Sequence, residues 1–165
     1  MRQSAGQVLF GSGARIASTV YGTVVVMATL TAAYGSEKDP WKLATTVAGA
    51  VFVLWIAHVY AHTLSEAVAE GRQKLYTMSS IAGRELGIMA AAALPIAALL
   101  LGAFGVLHET TAVWAALGVG LFTLGVEGVR FARVEGFGRG GTLAAISLNV
   151  TLGLFVVALK VFLAH

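Results

Sequence analysis

Residues 86–107 read LGIMAAAALPIAALLLGAFGVL, twenty-two residues without a charge. A helix needs about 20 mostly apolar residues to cross roughly 30 Å of hydrocarbon, so this run predicts a transmembrane helix. Pro95 near its middle removes one helix hydrogen bond and predicts a kink. Outward from it, residues 16–34, 43–64, 111–129 and 142–164 form four more runs of the same kind. The expected fold is therefore all-α, a polytopic membrane protein in which a single helical domain of five spans uses residues 1–165. Hydrophobic residues make up 58% of the chain and charged ones 12%, with a mean hydropathy of +0.83. A soluble domain carries about 25% charged residues, so composition points the same way. Cysteine is absent, which excludes disulfides, thiolate metal sites and a cysteine nucleophile.

The net charge of +3 is not read as a nucleic-acid signal, because the basic residues flank the spans. Arg2 and Arg15 precede span one; Arg72, Lys74 and Arg84 lie between spans two and three; Arg130, Arg133 and Arg139 lie between spans four and five. The opposite loops hold only Lys38 and Lys42. Loops rich in Lys and Arg stay in the cytoplasm, which predicts the N-terminus inside and the C-terminus outside. Lys160, near the outer end of span five, can snorkel outward. Span one has a longer apolar core than a secretory signal and is expected to be an uncleaved anchor. The expected location is the cell inner (plasma) membrane of a bacterium, as a multi-pass protein.

Short links predict antiparallel hairpins at 37–41, with Trp41 at interface depth, and at 108–110. Gly11-Ser12-Gly13 reads as a lead into span one. Span two is expected to continue as a polar helix over 65–74, and the Gly/Arg-rich stretch 131–141 reads as a mobile loop.

Trp55-Ile-Ala-His58-Val-Tyr60-Ala-His62-Thr-Leu-Ser-Glu66 is the most distinctive run. His58, His62 and Glu66 recur every fourth residue, so they stack along one helix face, with Trp55 on the same stripe. Ionisable groups at membrane depth are costly and usually face protein or water. The stripe can serve as a proton-sensing relay or a pore lining, or it can simply bond neighbouring helices. A metal site on this stripe alone fails, because Glu66 lies about 12 Å along the axis from His58. His108 and His165 belong to the outer surface, leaving no second histidine cluster inside.

Glu127 is placed about one turn inside the cytoplasmic end of span four. Ala116, Gly120 and Thr123 share its face as a groove for another helix, and Arg130, three residues on, can pair with it. A role in guiding a cation is the alternative to packing. In span five, Asn149 and Gly153 share a stripe with Thr142 and Lys160, which reads as a helix contact. Gly83-x-x-x-Gly87 is a weak close-packing signal. Thr19 and Thr23 share a face of span one with Met27 and Leu30; an ion path with an apolar constriction, or a plain packed helix, has this pattern. Gly-x-Ser-x-Gly, His-Glu-x-x-His and a phosphate-cradling loop are all missing, so neither enzyme activity nor a cofactor is expected.

Arg15-Ile16 before span one, Trp41 after the first outer turn, Trp55-x-x-His58 late in span two and Pro95 in span three together resemble the bacterial relatives of the lysosomal potassium channel. The resemblance covers roughly the first 100 residues. It implies an oligomer whose central pore is lined by span one. That family has six spans and a Phe-Ser-Asp signature at the start of the first. This chain has five, with Val20-Tyr21-Gly22 at that point, so potassium selectivity is not implied.

The function expected is a small cation channel or ion-translocating protein, homo-oligomeric in lipid, pH-sensitive through His58, His62 and Glu66. Glu66, Glu70 and Glu127 supply negative charge for the permeant ion. The alternatives are a non-catalytic assembly subunit of a larger membrane complex and a carrier for a metal or small solute.

Overall fold

A computed structural model describes residues 3–70 and 75–163. Arg2, Arg72, Lys74 and His165 lie outside them, as do the side chains of Glu70 and Lys160. Among the described residues the chain is helical: α1 (Gln3–Ala33), α2 (Pro40–Glu70), α3 (Leu75–Arg84), α4 (Leu86–Ala103), α5 (Glu109–Val134) and α6 (Arg139–Leu163). Five stretches are long and apolar enough to cross a membrane: Arg15–Ala33, Pro40–Val68, Ile81–Ala103, Glu109–Val134 and Arg139–Ala158. This is the architecture of a multi-pass membrane protein.

Turn chemistry sets the hairpins. Asp39 caps α2: its Oδ1 accepts the Trp41 N–H at 2.9 Å and its carbonyl accepts the Leu43 N–H at 3.0 Å. Pro40 takes the first helical position, where a missing N–H costs nothing. Gly105 (φ 74°) and Gly136 (φ 69°) close α4 and α5 in the left-handed conformation that glycine adopts without a Cβ clash. The 34–39 and 104–108 turns therefore share one end of the bundle, and the 135–138 turn lies at the other.

α1 is the central helix and packs against all five others; α4 lies beside it and touches α2 and α5, while α2 and α6 take opposite flanks. Val26, Met27 and Leu30 of α1 meet Leu43 and Val47 of α2, Leu99 of α4, and Val113 and Leu124 of α5, all of them buried. This apolar plug fills the middle of the bundle. At Gly22 a Cβ would lie 2.8 Å from the Ile88 Cα, so α1 and α4 approach backbone to backbone there. α6 is the least enclosed span, with 6% of it buried.

Several boundaries differ from those read in the sequence. Gly11-Ser12-Gly13 is helical, inside α1. The stretch between spans two and three holds a separate helix, α3, broken from α4 only at Glu85. α4 ends at Ala103 and not at 107. The 131–141 loop shrinks to residues 135–138, because α5 continues to Val134 and α6 begins at Arg139. Glu127 consequently sits two turns, not one, from the end of its helix. Except at α4, where Gly105 ends the helix within an apolar stretch, polar residues continue a helix beyond the apolar run, where hydropathy ceases to report helical structure.

Candidate functional site

Trp55 fixes the rotation of α2: its indole N–H donates to the Ala82 carbonyl at 3.3 Å, tying α2 to the end of α3. With that rotation, the histidine stripe faces α1 and the α3–α4 junction. The His58 ring lies 4.9 Å from the Tyr21 ring of α1 and 5.9 Å from that of His62. One turn further, His62 Nε2 is 3.9 Å from Glu85 Oε1, and Glu66 Oε1 is 3.8 Å from Arg84 Nη1. The Glu85 side chain is only 6% exposed whereas that of His62 is 47% exposed, so the pair joins a buried acid to an exposed imidazole. At 3.9 Å the contact is longer than a hydrogen bond.

Sequence reasoning identified the α2 half of this seam and missed Tyr21, Arg84 and Glu85. In the sequence Arg84 reads only as a topology charge. The usable signal was Glu85 itself, an acid directly before twenty-two uncharged residues and so held at the hydrocarbon edge.

The second titratable position is Glu127. Its side chain is 4% exposed, Oε1 accepts from Arg130 Nη1 at 2.6 Å, and Oε2 is buried with no hydrogen-bond partner among the described residues. Ala116 and Gly120, on the same face, are buried. A Cβ on Gly120 would lie 2.8 Å from Met27 Cγ and 3.7 Å from Thr23 Cγ2, so this face meets α1. Thr23 is buried and donates its hydroxyl to the Thr19 carbonyl at 2.8 Å; Thr19 donates to the Arg15 carbonyl at 2.9 Å. Both hydroxyls are thus satisfied within α1. Pro95 is buried inside α4. Gly153 meets Leu121 and Leu124 of α5, and Asn149 lines a groove between α1 and α6, away from the histidines. Gly87 packs on Ser18 and Thr19, while Gly83 faces open space. Among the described residues no three His, Asp or Glu side chains converge as a metal site.

The chain matches no protein-family model, no curated protein and no solved structure.

Proposed function

We propose that this protein translocates cations across the cell inner membrane as a homo-oligomer, N-terminus inside, with passage controlled by the seam around His62. One observation carries the reading: His58, His62 and Glu66 of α2 meet Tyr21, Arg84 and the buried Glu85 at a single end of the bundle. A buried acid beside an exposed histidine is expensive in a membrane protein and typically marks an ion or proton path. Protonation of His62 draws it to Glu85, across the junction where α3 breaks from α4, and so biases the relative position of α2 and α4. Met27, Leu30 and Leu43 fill the centre of one copy, so the path in this reading runs between copies. The resemblance to bacterial relatives of the lysosomal potassium channel favours an oligomer with a central path, but α1 packs against all five other helices of its own copy and so does not line that path as the resemblance implies.

Cation flux into liposomes holding the purified protein, recorded from pH 5 to 8, tests the reading. A pH-dependent flux that His62→Gln flattens is expected; a preparation silent across the range sinks the idea. A second reading, an assembly subunit of a larger membrane complex, is favoured by the thin packing of α6, which leaves most of a span uncovered. Mass in native detergent separates the two, since co-purification of a single copy with larger subunits supports the second.

A further inference from the structure

Between α1, α5 and α6 lies a groove of about 1040 Å3, at the top of the range of roughly 300–1,000 Å3 that small-molecule sites occupy. Along α1 it runs from Gly13 to Val24, roughly 17 Å at 1.5 Å per residue. Val24, Leu148 and Leu152 give its deeper part an apolar wall. Tyr21 of α1 and Phe131 of α5 line it with aromatic rings, and Glu135, where α5 ends, lines its mouth. Glu135 is the charged residue of the lining, and it forms no ion pair among the described residues. Arg15, Arg133 and Arg139 belong to the same end of the bundle, yet none of them lines the groove. At about 100° per residue, each lies more than about 120° around its helix from the face that does. All three are exposed to water, where salt screens a charge within about 8 Å.

We propose that this groove binds a lipophilic monovalent cation, a quaternary ammonium or phosphonium carrying aromatic or alkyl groups. Its charge sits at the mouth beside Glu135 and the rings of Tyr21 and Phe131, and its apolar groups lie along Val24 and Leu152. Charge complementarity selects this occupant. An aromatic face attracts a cation within about 6 Å and disfavours an anion. A carboxylate adds to that attraction, and a quaternary cation needs no hydrogen bond in return. The apolar wall favours desolvated alkyl and aryl groups, and it offers a small hydrated ion no oxygens to replace its water. A lipid chain fits the slot, but an anionic headgroup finds no basic residue lining it. Occupancy does not depend on ion passage through the histidine seam.

Tetraphenylphosphonium and tetraphenylborate share one shape and carry opposite charges, so comparing them separates charge from fit. Equilibrium dialysis of each against the purified protein in non-ionic detergent, with protein-free micelles subtracted, reads the outcome. One phosphonium per copy is expected, bound about tenfold more tightly than the borate. Glu135→Gln, at an exposed position, should weaken the phosphonium about threefold to fivefold and spare the borate. Phe131→Leu, which keeps an apolar wall without the ring, should weaken the phosphonium about threefold. Leu148→Trp, which narrows the slot, should weaken both ions together. Equal binding of the two ions by the unaltered protein overturns the proposal, since the groove would then be a slot for lipid chains. So does phosphonium binding that Leu148→Trp leaves untouched, or that neither Glu135→Gln nor Phe131→Leu lowers. A defined dimer that Leu148→Trp dissociates also overturns it, because a second copy would then be the occupant.

Discussion

Glu127 carries one bonded oxygen and one bare one in a site closed to solvent. Removing one partner of a buried ion pair strands the other charge, whereas replacing both by apolar groups can cost nothing. Arg130 is half exposed, so solvent screens part of the loss when it is removed. Arg130→Met should therefore destabilise the protein by about 2 kcal/mol. The double change Glu127→Leu with Arg130→Met should recover most of that loss, measured by thermal unfolding in detergent. A double variant as unstable as the single one would mean that Glu127 is stabilised by something other than its arginine. The same logic explains why Glu127 was legible in the sequence and Glu85 was not. A lone acid deep in an apolar run has to face protein, while Arg84-Glu85 at the edge of a run is also what a solvated boundary contains.

At the scale of helices, contact is governed by what each glycine meets. A Cβ on Gly22 would lie 2.8 Å from the Ile88 Cα and 2.9 Å from its carbonyl oxygen, so two backbones would have to part. On Gly120 it would meet Met27 Cγ and Sδ, a flexible side chain that can turn aside. Overpacking costs about 1–3 kcal/mol, and alanine returns up to about 1 kcal/mol of helix propensity. Gly22→Ala should thus lose about 1–2 kcal/mol while Gly120→Ala stays near neutral; equal losses would count against the close α1–α4 approach. The 34–39 turn depends on charge instead. Glu37 Oε1 accepts the Asp39 and Lys38 N–H groups, each at 3.0 Å, and Oε2 lies 3.1 Å from Lys42 Nζ. The Asp39 N–H first, and Lys42 next, hold the Glu37 carboxyl below its ordinary value. A lowered folded value means the stabilisation is present above the unfolded value, about 4.3, and is lost as pH falls through the folded one. Glu37→Gln should abolish that acid-side loosening of the turn, followed by amide exchange at Lys38 and Asp39. The helices that cross the hydrocarbon were legible from apolar run length, and the α1–α2 hairpin from Asp39-Pro40. α3 was not, because Leu75–Arg84 is short and mixed in character, and its helicity comes from packing on α2.

Across the whole molecule the charges are divided between the two ends. Among the described residues Arg15, Arg84, Arg130, Arg133 and Arg139 belong to the 135–138 end, and Lys38, Lys42 and, near the end of α6, Lys160 to the other. The histidine seam and the mouth of the α6 groove share the arginine-rich end, and Tyr21 joins them: its ring rests on His58 and also lines the groove. The positive-inside bias predicts that the arginine-rich end faces the cytoplasm. The chain has no cysteine, so single introduced thiols report sidedness without background. Ser36 and Gly138 are exposed in turns at opposite ends of the bundle. In intact cells Ser36→Cys should react with a membrane-impermeant maleimide, and Gly138→Cys should react only after permeabilisation. The reverse pattern would invert the orientation and place the arginine-rich end against the outer leaflet. Labelling of both from one side would contradict the crossing of α5 itself, since Glu109–Val134 is the helix that carries the chain from the end bearing residue 36 to the end bearing residue 138.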